Sequence, residues 1–313
     1  MTAKRPPIPP LLAIVFALAA VSTASIFIRY AQQDAASLVI AAGRLTVASL
    51  VLVPLAWFHH RAELTALTRS QWLLAALSGV FLAIHFATWI SSLEFTTVAS
   101  SAVLVSTTPL WVAVFTPLFL KEKVKPAALA GMAVALVGGA IIGLSDMCSL
   151  SREGLSCPDL ASLTQGKAFL GNLLALAGAW AATGYFLIGR RLRERMSVVS
   201  YVSVVYAVAA IVLIIWMFAA GNKPWGLPPR AYLWIALLGL VPQLIGHSTF
   251  NWALGYLSAA FVSITLLGEP IGSTILAMLL LDEIPSVLKI IGGALILTGI
   301  YLSARSPGST SSG

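Results

Sequence analysis

The chain has 313 residues, 59% of them hydrophobic and 10% charged, with a formal net charge of +8 and a mean hydropathy of +0.94. A soluble globular domain carries about 25% charged residues, so that class is excluded and a bilayer is the expected surrounding. The positive charge reads as a topology signal and not as a nucleic-acid footprint, because its densest run, Arg190-Arg-Leu-Arg-Glu-Arg195, sits between two apolar segments.

Crossing ~30 Å of hydrocarbon as a helix takes about 20 apolar residues. Ten such runs are present, at roughly 10–28, 36–58, 71–92, 97–120, 126–145, 168–189, 197–220, 231–251, 256–280 and 286–304. The expected fold is therefore an all-α integral membrane protein of ten transmembrane helices in two halves of five. Lys4 and Arg5 precede the first run as they would in a signal peptide. Its end, Ser25-Ile-Phe-Ile-Arg29, has no small-residue cleavage pattern, so it is expected to be a retained span. With the N-terminus inside, twelve Lys and Arg residues (4, 5, 61, 69, 121, 123, 125, 190, 191, 193, 195, 305) fall on the cytoplasmic side. Six (29, 152, 167, 223, 230, 289) fall outside, which predicts two cytoplasmic termini.

Span 1 holds Ser22, Thr23 and Ser25, hydroxyls that either bond their own helix or line a pore. Span 2 carries Arg44, the one basic residue well inside a span. Such an Arg costs at least ~2.5 kcal/mol on insertion scales, so it is expected to face the bundle interior and have a partner, as a site residue or as a structural clamp. In span 3, His85 and Trp89 are four apart and share a face with Thr88 and Ser91 nearby, a candidate cavity lining. No metal-ligand spacing accompanies the histidine, and no metal site is expected. Span 4 runs Val105-Ser-Thr-Thr-Pro-Leu-Trp111, where Pro109 frees the carbonyl of Val105 and Ser106, Thr107 and Thr108 stand ready to satisfy it. Span 5 has Gly139-Ala-Ile-Ile-Gly143, a small-residue spacing expected to pack helices closely.

The loop at 146–167 carries both cysteines, Cys148 and Cys157, as a disulfide or as two free thiols. Span 6 brings Trp180 at mid-span, the aromatic expected to face the cavity, while Tyr185, Tyr201 and Tyr206 resemble interfacial belt residues. In span 8, Gln243, His247 and Asn251 form an i, i+4, i+8 stripe too polar to face lipid. Span 9 contains Gly268-Glu-Pro-Ile-Gly272. Glu269 is a protonated donor to a carbonyl released by Pro270, or else a proton site or partner for a cationic amine.

Residues 93–144 recur faintly at 254–305. A shift of 161 positions lays Leu93, Pro109, Leu120, Glu122, Gly131 and Gly138 on Leu254, Pro270, Leu281, Glu283, Gly292 and Gly299. Five spans per copy make the second copy enter the membrane from the opposite side, giving two inverted five-helix repeats. The expected division is 1–145, a linker loop at 146–167, a second repeat at 168–305, and a disordered tail or cloning scar at 306–313. Pro-interrupted segments in corresponding halves mark duplicated transporters, with the site where the copies meet. Pro109 and Pro270 are thus the candidate hinges.

Gly268-Glu-Pro270, Leu281-Asp-Glu283 and Gly292-Gly-Ala-Leu-Ile-Leu-Thr-Gly299, with the looser Thr108-Pro109, Leu120-Lys-Glu122 and Gly131 to Gly138-Gly139, resemble the EamA-type module of the drug/metabolite transporter superfamily. The resemblance covers residues 10–304 and is greatest to bacterial amino-acid exporters, including aromatic amino-acid exporters that also expel methyl viologen. It implies a basket of ten helices around a cavity lined by spans 3, 4, 6, 8 and 9, and it points to His85, Trp89, Ser106, Thr108, Trp180, His247 and Glu269. The chain departs from the aromatic exporters in having Ser-Thr-Thr before Pro109.

The expectation from the sequence is an inner-membrane exporter of small amphiphilic metabolites, neutral or aromatic amino acids, with a methyl viologen-like cation carrier as the alternative. Gln243 and Asn251 join the substrate-binding candidates, and Glu269 and Arg44 are the candidate charge carriers. No catalytic motif, cofactor or nucleic-acid partner is expected, and the chain is expected as a monomer or weak dimer. Export over import rests on the resemblance alone.

Overall fold

Hydrocarbon offers no partner to backbone N–H and C=O groups, so a chain this apolar must satisfy them within helices. The computed structural model describes residues 6–96, 101, 104–144, 149–151, 154–156, 166–281 and 286–304. Its helices are α1 (Pro10–Ser22), α2 (Ala24–Gln32), α3 (Ser37–Thr65), α4 (Arg69–Phe95), α5 (Thr108–Phe119), α6 (Pro126–Leu144), α7 (Gly166–Arg193), α8 (Val198–Ala219), α9 (Pro229–Leu238), α10 (Ser248–Ala253), α11 (Ala259–Thr265), α12 (Glu269–Leu281) and α13 (Val287–Ala304). A π-helical stretch, Gly239–His247, joins α9 to α10, and a 3₁₀ turn, Leu266–Gly268, joins α11 to α12. Two three-residue strands, β1 (Ser149–Ser151) and β2 (Gly154–Ser156), pair antiparallel in the loop between the halves. Cys148 and Cys157 lie outside the described residues.

Among the described residues, six helical rods are long and apolar enough to cross a membrane, and four shorter apolar helices lie in the predicted spans 4, 5, 9 and 10. The ten spans are α1–α2, α3, α4, α5 with the turn before it, α6, α7, α8, α9–π–α10, α11–3₁₀–α12 and α13. Leu50, Phe58, Leu118 and Leu279 project from the outside of the bundle, as lipid-facing residues do.

Packing follows the inverted repeat. Span 2 packs on span 7, span 4 on span 9 and span 5 on span 10, each against its own counterpart, while spans 3·6 and 8·1 form the exchanged pair. The contact between α6 and α13 shows the two-fold at atomic scale. A Cβ on Gly138 would lie 2.5 Å from the Gly292 carbonyl oxygen, and one on Gly299 would lie 2.4 Å from that of Gly131. These four glycines exchange under the 161-residue shift, and their lack of a side chain lets the backbones touch. A Cβ at Gly139 would meet nothing within 4 Å. The close approach therefore uses the preceding glycine, one helical position round from the spacing the sequence suggested.

Polar caps tie the halves together at the helix ends. The Glu63 carboxylate at the end of α3 accepts from Ser197 N–H at 2.5 Å and from Ser200 Oγ at 2.8 Å, covering the N-terminus of α8.

Candidate functional site

Four spans break their helical hydrogen bonding mid-length, and all four meet at the centre. Span 1 breaks at Thr23, whose hydroxyl donates back to the Ala20 carbonyl at 2.7 Å. Span 4 breaks at 106–107, just before Pro109. The carbonyl that Pro109 frees, that of Val105, accepts from Thr108 Oγ1 at 2.7 Å. Span 9 breaks at Leu266–Gly268, the positions that the 161-residue shift assigns to 105–107. Here the carbonyl released by Pro270, that of Leu266, accepts the backbone N–H of Glu269. No hydrogen bond from the Glu269 carboxyl to that carbonyl is formed among the described residues. Span 8 widens into its π stretch around Pro242. Irregular backbone at membrane depth is tolerated only where it lines a cavity or is buried in protein.

A cavity of about 90 Å³ lies at this junction. His85, Trp89, Ser106, Thr108, His247 and Glu269 line it, together with Arg44 and Pro109. The volume is below the ~300–1,000 Å³ of ordinary ligand pockets, so a metabolite fits only after the surrounding spans part. His85 and Trp89 stack with ring centroids 5.8 Å apart at 13°. His85 Nδ1–H donates to the Gly178 carbonyl at 2.9 Å, which fixes the tautomer and leaves Nε2 as an acceptor in the neutral ring. His247 sets its ring edge-on to Phe86 at 5.4 Å.

Arg44 is fully buried. Its Nε donates to Gln243 Oε1 at 2.7 Å, and its guanidinium carbon lies 4.1 Å from the centre of the Phe86 ring. Both Nη atoms and Gln243 Nε2 have no hydrogen-bond partner among the described residues. No ion pair joins Arg44 to Glu269 among the described residues, although both border the cavity.

Three of the sequence candidates fall elsewhere. Gln243 is buried behind Arg44, bonded to its Nε, and does not line the cavity among the described residues. Asn251 donates to the Tyr185 hydroxyl and to the His247 carbonyl at 2.7 Å, holding the wall from behind. Trp180 is 50% exposed and packs edge-to-face on Trp111 at 5.6 Å, on the outside of α7. Span 6 instead presents Ala182, Tyr185 and Phe186 to the cavity. Tyr185 follows Trp180 by five residues, about 140° round a helix, so choosing between them needs the rotation of the helix, which mid-span position does not supply. Phe86 went unread, since an aromatic next to apolar neighbours carries no mark of facing inward, and Tyr201 and Tyr206, expected in the interfacial belt, are instead fully buried inside the bundle. The signal available for Phe86 was Arg44 itself, whose burial demands an aromatic or acidic companion.

Comparison with known proteins agrees with this architecture. The EamA-like transporter family matches twice, over residues 8–144 and 169–305. The chain belongs to the EamA-like transporter family. An uncharacterized transporter of Archaeoglobus fulgidus is 24% identical over 89% of this EamA-like chain and 91% of its own. A probable terminal-alkyne amino-acid exporter of Streptantibioticus cattleyicolor is 25% identical over 66% of this chain and 64% of its own. The inner membrane protein YtfF of Escherichia coli K12 is 23% identical over 84% and 85% respectively. One crystal structure superposes with a TM-score of 0.76 over 95% of this chain and 96% of that one, at 18% identity, a likeness of fold alone. The EamA-like protein is a multi-span transporter of the drug/metabolite type, which binds small molecules within the bilayer.

Proposed function

We propose that the protein exports small amphiphilic metabolites, neutral and aromatic amino acids foremost, across a bacterial inner membrane by alternating access between its inverted halves. The observation that carries this reading is the cavity at the junction of the halves, where one buried cation, Arg44, and one carboxylate, Glu269, flank the His85–Trp89 stack. An aromatic or aliphatic side chain has a ring surface to lie against there. Ser106, Thr108 and His247 replace water around the polar end. Breaks beside Pro109 and Pro270 give spans 4 and 9 points at which to bend. The relative named as a probable amino-acid exporter supports the substrate class. The Lys and Arg distribution supports cytoplasmic termini. A dicationic drug suits Glu269 but not Arg44 in the same cavity, so the amino-acid reading ranks first.

The test is flux of labelled phenylalanine, methionine and threonine into liposomes containing the purified protein, with and without an imposed pH gradient. Saturable flux of any of them supports the proposal. Absence of flux for all three, with methyl viologen carried instead, overturns it. Where flux needs the gradient, Glu269→Gln is expected to abolish that dependence.

A further inference from the structure

An intramembrane Arg normally pairs with a carboxylate or with backbone carbonyls. Arg44 does neither. Among the described residues its only acceptor is the neutral Gln243 Oε1, and that bond uses Nε alone. The fork formed by Nη1 and Nη2 is buried and unpartnered, and so is the Gln243 amide nitrogen beside it. The result is a patch of hydrogen-bond donors with no acceptor in reach, at a residue that borders the central cavity. Phe86 supports the cation from one face, which holds the guanidinium plane in place but satisfies none of its N–H groups. Leaving charged donors unmet in a low dielectric is unfavourable, and a planar anion that meets both Nη atoms removes that penalty.

From this geometry we infer that Arg44 is the receptor for the substrate's carboxylate, held bidentate on Nη1 and Nη2, with the substrate's ammonium directed to Glu269 across the cavity. The assignment rests on the amino-acid reading above and adds its polarity. A carboxylate is favoured over a phosphate by charge. Arg44 is the only Lys or Arg among the described residues lining the cavity, and Glu269 lies in the same lining, so a dianion would meet one cation and one repelling carboxylate. A zwitterion cancels both. Gln243 then acts as a positioning residue, because its bond to Nε orients the fork.

The test compares three ligands that share one ring: L-phenylalanine, phenethylamine, which lacks the carboxylate, and 3-phenylpropionate, which lacks the ammonium. Affinities are read from ligand-induced shifts in the unfolding midpoint of the full chain in detergent. The wild type is expected to prefer L-phenylalanine over phenethylamine on the order of 100-fold. Arg44→Gln is expected to bring that ratio close to one, and Arg44→Lys, which keeps the charge but not the fork, is expected to leave a reduced preference. An unchanged ratio in Arg44→Gln, or no binding of any of the three ligands to the wild type, overturns the inference. Should Arg44→Gln fail to fold, Arg44→Lys decides the matter, since an unchanged preference in that variant also overturns it. The two readings fail separately. Arg44-dependent binding without flux sinks the exporter and leaves the receptor, whereas flux with an Arg44-independent ratio does the reverse.

Discussion

At the scale of single residues, one hydrogen bond at the centre of the molecule joins a buried charge to an amide. Among the described residues, Gln243 Oε1 is the sole acceptor that Arg44 reaches. Replacing it by Leu leaves the guanidinium with a ring face and nothing else. Breaking a buried charged contact from one side is far more costly than replacing both partners by apolar groups of similar size. Gln243→Leu is therefore expected to destabilise the protein by about 2–4 kcal/mol. The double variant Arg44→Met/Gln243→Leu is expected to be more stable than Gln243→Leu alone. Unfolding midpoints of the wild type, of Arg44→Met and Gln243→Leu singly, and of the double variant in detergent check this. If the double variant is as unstable as the sum of the singles, the two residues act independently and the account of a shared buried contact fails.

At the scale of elements, the sharpest contrast lies between two adjacent glycines of α6. A Cβ at Gly138 would meet the Gly292 carbonyl oxygen at 2.5 Å, whereas one at Gly139 would have no neighbour within 4 Å. Gly138→Ala is expected to push α6 off α13 and cost about 1–3 kcal/mol. Gly139→Ala is expected to be neutral or to stabilise by up to about 1 kcal/mol through helix propensity. Thermal midpoints of the two purified variants decide it, and equal losses would mean that the helices do not cross where described. The same pair shows what the sequence makes legible. Hydropathy and the 161-residue shift identified the ten spans, because burying backbone in lipid leaves only helices. The break before Pro109 was legible too, since proline removes a donor and Thr108 is adjacent. The break at Thr23 and the π stretch in span 8 were not, because neither follows from periodicity. Helix rotation was the other blind spot. It moved the close contact from Gly139 to Gly138 and exchanged Trp180 for Tyr185 at the cavity, differences of a fraction of a turn that only packing settles.

At the scale of the whole molecule, the cavity is bracketed by contacts between the halves at both ends of the bundle. At one end, Arg230 in the first turn of α9 holds Asp34 after α2 with two bonds of 2.8 Å. The Arg230 guanidinium keeps the Asp34 carboxyl below its usual range, so the pair carries both charges at neutral pH. Tyr30 and Phe27 of α2 stack on Trp234 of α9 at 4.7 and 5.6 Å just below it. At the other end, Arg190 of α7 bonds Glu122 at 2.9 Å and the Leu254 carbonyl at 3.0 Å. Ion pairs at the ends of a bundle, partly open to water, contribute little to stability, so their worth here lies in where they sit, one across each seam. Alternating access requires each seam to open in turn while the other stays shut. Cysteines placed at 34 and 230, or at 122 and 190, in a chain whose Cys148 and Cys157 are replaced by Ser, are therefore expected to permit flux when free. Joining either pair with a short bifunctional maleimide is expected to stop flux, because a clamp at one end traps every conformation that must open there. Reduced and cross-linked proteoliposomes measured side by side give the answer. Full flux with the 34–230 clamp in place would mean that substrate does not leave past that seam, and the rocking of inverted halves about the cavity would have to be abandoned.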